Sequence, residues 1–144
     1  MGATDRARAW VNHLHREHDF LEDEPLFAHL ERVTGLLLPA ADELTTITGW
    51  LHHIDETHVH AGTIEAKFGV RVTRAVALAA RLPREPDAPY AWRVGQARDP
   101  YASAALSACF SDLATHHSTA TGRARWKAAY DQLELAKQSV KELS

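Results

Sequence analysis

The sequence predicts an all-α protein, a single domain over residues 1–144 built as a bundle of six or seven helices. Three observations carry this. Apolar residues recur at spacings of three and four nearly throughout, and no segment alternates with period two for long. The chain has 144 residues, 45% of them hydrophobic and 24% charged, which suits one core in one domain. It contains no internal repeat and no composition shift that would mark a second domain.

Taken in order, Ala7, Trp10, Val11 and Leu14, with His18 beyond them, line one face of a first helix that Thr4 or Asp5 can cap. Glu22-Asp23-Glu24 breaks that pattern, and Pro25 suits the first position of a second helix because its missing N–H has no intrahelical partner there. Leu26, Leu30, Val33 and Leu37 form its buried stripe, and Pro39 ends it. A third helix starts near Ala41 or Asp42 and carries Leu44, Ile47, Leu51 and Ile54. Gly62–Gly69 reads as a short helix, with Thr63 capping its start and Gly69 its end. Val72, Val76 and Ala79-Ala80 continue as a helix to about Leu82. Residues 83–100 hold four of the six prolines and read as a loop. Two further helices run from about Tyr101 to His117 and from about Arg123 to Leu143.

Bulk properties exclude several function classes. A formal net charge of −3 gives no reason to expect binding to nucleic acid or to an anionic membrane surface. The longest apolar runs fall far short of the roughly 18 residues a membrane helix needs. The start, Met-Gly-Ala-Thr-Asp-Arg, leads into no apolar signal core, and the single cysteine, Cys109, suits a reducing compartment, so a cytoplasmic location is expected. Oligomeric state is not legible.

Candidate chemistry centres on Trp50-Leu51-His52-His53-Ile54-Asp55-Glu56-Thr57. On this third helix, 100° steps from Leu44 place Asp55 at about 20°, His52 at about 80° and Glu56 at about 120°, neighbours at the edge of the buried stripe. His53 falls at about 180°, away from the core centre. His29 lies at the boundary of its own apolar stripe. Imidazole and carboxylate together suit Zn, Mn or Fe, and such an ion suits cleavage of phosphate esters. Most of the ten histidines have a plainer reading. His13, His15 and His18 form one side of a surface helix, His58 and His60 flank a turn, and His116-His117 suit a helix C-terminus. Cys109 reads as a small core residue.

The order of these segments resembles the HD superfamily of metal-dependent phosphohydrolases, in particular the hydrolase domain of RelA/SpoT-type alarmone enzymes and the stand-alone small alarmone hydrolases. Pro25-Leu26-Phe27-Ala28-His29-Leu30-Glu31-Arg32-Val33 resembles the family's first-ligand helix. Gly49-Trp50-Leu51-His52-His53 is similar to its Ala-Leu-Leu-His-Asp, and Asp55-Glu56-Thr57 to its Glu-Asp-Thr with one residue deleted in between. Thr63–Val72 is similar to the Thr-x-Glu-x-Ile/Val-x-x-x-Phe-Gly-x-x-Val region, slightly compressed, and Leu135–Leu143 to the last helix.

The resemblance implies an HD-type bundle and a divalent metal (Mn, Zn or Fe) held by His29, His52, His53 and Asp112, with Asp55 and Glu56 placing the attacking water. It departs from the family at two ligands. His53 stands where the family has aspartate. The later motif, Lys-x-Ala-Asp-Arg-x-x-Asn, falls at Ala108–Leu113, where an ungapped match puts Ser111 at the ligand position and a one-residue shift restores Asp112. The family's lysine, arginine and asparagine are absent there. Replacing aspartate by histidine removes one negative charge and serves hard Mn less well than Zn or Fe. The implied activity is hydrolysis of a nucleotide or another small phosphate compound. Its alternative is a catalytically inactive HD-like domain that binds a ligand or protein partner, and a third is an enzyme using the histidine-rich wall for acid–base chemistry.

Overall fold

The computed structural model describes residues 2–21, 24–38 and 42–143, and of residues 21 and 140–143 the backbone alone. The described residues form eight α-helices and one two-stranded ribbon: α1 (Ala3–Leu14), β1 (Asp19–Leu21), β2 (Glu24–Pro25), α2 (Leu26–Leu37), α3 (Glu43–Leu51), α4 (Ala61–Phe68), α5 (Val70–Ala79), α6 (Asp87–Gln96), α7 (Pro100–His116) and α8 (Ala120–Leu143). The all-α class holds. Among the described residues no helix is long and apolar enough to cross a membrane.

Each departure from the sequence reading has a local cause. Gly2, not Thr4 or Asp5, caps α1, and its N–H donates to the Asp5 carboxylate at 3.4 Å from inside the first turn. α1 stops at Leu14, so His18 is not on its face. His15 is the C-cap and fully buried, not a surface residue, and its Nδ1 lies 2.9 Å from His18 Nδ1. Asp19–Leu21 and Glu24–Pro25 pair as an antiparallel ribbon, with Asp19 opposite Pro25 and Leu21 opposite Glu24. Pro25 is consequently the extended N-cap of α2 and Leu26 its first residue, whose N–H donates to His18 C=O at 2.8 Å. The proposed stop at Pro39 lies outside the described residues, as do Glu22, Asp23 and Ala41.

Asp42 caps α3, accepting from the Thr45 N–H at 2.8 Å. His60, not Thr63, is the N-cap of α4, and Gly69 closes that helix at φ +92°, a left-handed conformation that side chains disfavour. α5 ends at Ala79, three residues before Leu82, and α8 starts at Ala120, ahead of Arg123.

The largest correction is α6, which occupies the segment read as a loop. Pro86 is its N-cap, Asp87 its first residue and Pro89 lies within its first turn. Prolines there remove no intrahelical hydrogen bond, so they bound the helix and do not break it. Its buried face, Tyr90, Ala91, Val94 and Gly95, packs on α8. Asp99 then caps α7 by accepting from the N–H groups of Tyr101 and Ala102, both at 3.0 Å, with Pro100 at the first helical position.

The core has two lobes. One gathers Ala7, Val11, Leu26, Leu30, Ile47, Leu51, Ile54 and Val72 from α1 to α5. The other joins α5 to α8 through Tyr90, Val94, Leu106, Phe110 and Leu133. α7 is the element common to the arrangement, packed against α2, α3, α5 and α8. That position sets one face of α7 against the histidines of α2 and of the end of α3.

Candidate metal centre

Four side chains meet at this junction. His29 comes from the middle of α2, His52 from the C-terminal cap of α3, His53 from the next position and Cys109 from α7. One donor atom from each lies within 4.8 Å of every other. Cys109 Sγ is 3.4 Å from His29 Nε2 and 3.8 Å from His53 Nε2. His29, His52 and Cys109 are buried, and the His53 side chain is 18% exposed.

A second set of contacts orients the imidazoles. His29 Nδ1 is 2.6 Å from Asp112 Oδ2 and His52 Nδ1 is 2.6 Å from Gly49 C=O. His53 Nδ1 is 3.3 Å from Glu56 Oε2. Each acceptor fixes the proton on Nδ1 and leaves the Nε2 lone pair for the cluster, the arrangement by which outer-sphere groups orient metal-binding histidines. His52 Nε2 is buried and has no hydrogen-bond partner. A buried acceptor left without a partner is costly, and an ion is one means of satisfying it.

The local backbone explains the pair. α3 ends at Leu51 because the His52 ring takes the Gly49 carbonyl, one of the acceptors a helix C-terminus leaves unsatisfied. The chain then enters a single 3-10 turn, Ile54–Glu56. Steps of 100° therefore stop before His53. That residue does not point away from the core but faces Cys109 and the ring of Phe20, 5.2 Å between centroids.

Asp112, expected as the fourth ligand, is not one of the four donors. It is buried, and besides His29 it accepts from Arg32 Nε at 2.7 Å and Nη2 at 3.0 Å. Arg32 is held in turn by Glu24 at 2.9 and 2.6 Å. Burial opposes ionisation of Asp112, but His29 and Arg32 hold its carboxyl below the usual range. Ser111 lies on another face of α7, in a cleft with Ala114, Thr115 and Arg123. The α7 donor is Cys109, three residues before Asp112 and so on the same helical face. Its reading as a small core residue accounted for its burial but not its neighbours. Burial pushes its thiol up, yet the His29 and His52 imidazoles hold it well below its ordinary value.

Asp55 and Glu56 sit on the 3-10 turn, beside the cluster. They line a cavity of about 300 Å³ whose wall also includes His52, His53 and Cys109. Burial raises the Asp55 carboxyl; for Glu56 burial acts the same way but His53 outweighs it, and the pKa is lowered. Phe20, from β1, stacks on His29 at 4.4 Å between centroids and covers one side of the cluster. Arg81 and Arg125, further along the cavity, lie over Tyr90 and Trp126 at 4.5 and 4.3 Å from the ring centroids. Both pair with Asp87, at 2.9 and 2.6 Å. Phe20 and the two arginines carry no signal in the sequence, and Cys109 reads there only as a core residue. Only the spacing of Cys109 to Asp112 held a usable signal.

No family model and no curated protein matches the chain. Among solved structures it is similar to one described as a metazoan ortholog of SpoT that hydrolyzes ppGpp and plays a role in starvation responses. The TM-score is 0.78 and the identity 14%, over 99% of this chain and 93% of that chain. The likeness shows that the two chains share an all-α fold.

Proposed function

We propose that the protein is a metal-dependent phosphohydrolase of HD type acting on a nucleotide or another small phosphate compound. The observation that carries this is the convergence of His29, His52, His53 and Cys109 at a cavity that also holds two carboxylates. The donors fit a divalent ion: three Nε2 atoms and one sulfur face one another, and His52 Nε2 lacks any other partner. An ion bound there supplies Lewis-acid charge to a phosphoryl oxygen and lowers the pKa of water. Glu56 positions His53 through Nδ1, which leaves Asp55 as the carboxylate free to orient the attacking water and accept its proton. Arg81 and Arg125 bring two positive charges against the single Asp87 carboxylate, so the part of the cavity wall they form has cationic character suited to phosphate. Tyr90 and Trp126 add aromatic faces for a planar group. The solved neighbour's described activity supports this reading by fold alone. A reducing, cytoplasmic setting would keep Cys109 available as a ligand.

The test is metal analysis of the purified protein together with a phosphate-release screen over nucleotides in added Mn or Zn. Bound metal and release, both abolished by His52→Ala, are expected. Absence of both metal and release in the unaltered protein would sink the proposal. The second reading, a non-catalytic HD-like domain that binds a ligand or partner, is favoured by Phe20 stacked across His29 and by the engagement of Asp112 with Arg32. Nucleotide binding with metal present and no turnover would select it.

A further inference from the structure

The geometry points to a thiolate-bearing, four-coordinate site, His29–His52–His53–Cys109, that takes a zinc-class ion and discriminates against manganese. This rests on the reading that the cluster holds a divalent ion. The donors are three imidazole nitrogens and one sulfur, with no carboxylate oxygen among them. Nitrogen and sulfur suit Zn and Co(II), whereas Mn and Mg favour oxygen.

Spacing agrees. Zinc–sulfur and zinc–nitrogen bonds of about 2.3 and 2.05 Å at tetrahedral angles separate the two donors by about 3.6 Å. The Sγ–Nε2 distances here are 3.4 Å to His29 and 3.8 Å to His53. With all four donors inside 4.8 Å, a side-chain closure of roughly 1 Å completes a tetrahedron. The imidazoles are already turned for it, each Nδ1 held by a separate acceptor: Asp112, Gly49 C=O and Glu56. A metal-free thiol–imidazole cluster does not account for His52 Nε2, which is buried and unpartnered.

Coordination number has a consequence for chemistry. Four protein donors fill a tetrahedral shell, so a substrate oxygen can join only as a fifth ligand. Metal identity can therefore be tested apart from activity.

The experiment is titration of the chelator-treated protein with Co(II), read by absorption. One equivalent should produce intense tetrahedral d–d bands and a near-ultraviolet thiolate charge-transfer band. Added Zn should bleach both, and excess Mn should not. Cys109→Ser should lose the charge-transfer band and weaken Zn binding by more than about 10-fold, a loss that even outer-shell changes reach. Cys109→Asp should narrow the gap between Zn and Mn. Co(II) bound without the charge-transfer band, or displaced by Mn as readily as by Zn, would overturn the thiolate site while leaving a metal-dependent hydrolase standing. Failure to bind Co(II), Zn or Mn at all would overturn both. The spectrum of the unaltered protein decides the matter even if a variant does not fold.

Discussion

Asp112 and His15 show how a buried polar side chain acts through its neighbours. The Asp112 carboxylate holds the His29 tautomer on one side and Arg32 on the other. Asp112→Asn preserves an acceptor for His29 Nδ1–H but removes the charge, so Zn affinity should fall by about 10- to 100-fold while the fold persists. Competition with a chromophoric chelator would measure this, and unchanged affinity would deny Asp112 a role in orienting the ligand. Asp112→Ala leaves His29 Nδ1 without its acceptor, while Arg32 keeps Glu24, and should cost about 1–3 kcal/mol in urea unfolding.

His15 is fully buried, its Nε2 has no partner, and burial with the nearby His18 and His53 lowers its pKa from 6.5 to about 4. The unfolded chain therefore binds the extra proton first on acidification. Stability is intact above about pH 6.5 and falls between there and pH 4, by up to about 3 kcal/mol from this group. His29 and His53 are shifted the opposite way and contribute stability that is lost as pH rises through their folded values. The comparison that isolates His15 is His15→Leu, whose urea stability should drop less than that of the unaltered chain from pH 6.5 to 4.5. Parallel curves would refute it.

Among the elements, α6 and the end of α3 matter most. α6 lies close against α8 because Gly95 has no side chain. A Cβ there would stand 2.6 Å from Ala136 Cβ and 3.0 Å from Leu133 C=O, neither able to move without shifting α8. Gly95→Ala should therefore destabilise by about 1–3 kcal/mol despite the better helix propensity of alanine. Denaturant unfolding checks this, and a gain in stability would mean that the helices separate freely. By proline content the segment reads as a loop, but Pro86 and Pro89 sit at the cap and first turn of a helix, where proline removes no intrahelical hydrogen bond. The end of α3 presents the reverse problem. Its apolar spacing continues smoothly through Ile54, and nothing in that spacing shows that His52 will take the Gly49 carbonyl and terminate the helix.

At the scale of the whole molecule, one cavity is lined both by His52, His53 and Cys109 of the donor cluster and by Arg81 and Arg125, which share Asp87. These regions are separable in function if the proposed hydrolase reading holds. Replacing both arginines by glutamine should raise KM for a phosphate substrate by about 10-fold or more, since charge-assisted contacts contribute about 1.5–3 kcal/mol each, and should leave the Co(II) spectrum unchanged. An unaltered KM would place the phosphate elsewhere.

The amino-acid sequence by itself determined the helical class, most helix positions, the HD-type resemblance and the choice of His29 and His52 as candidates, which the structure brings into one cluster. These follow from local periodicity and from motifs whose residues lie close in the chain. Tertiary structure alone decided that His53 turns inward, that Asp112 lies behind His29 and that Cys109 meets the three histidines. The physical reason is that a helix has a period but no intrinsic rotation toward its neighbours. Which of Cys109, Ser111 and Asp112 faces α2 and the end of α3 depends on how α7 is rotated and shifted along its axis, and packing against the neighbouring helices sets both.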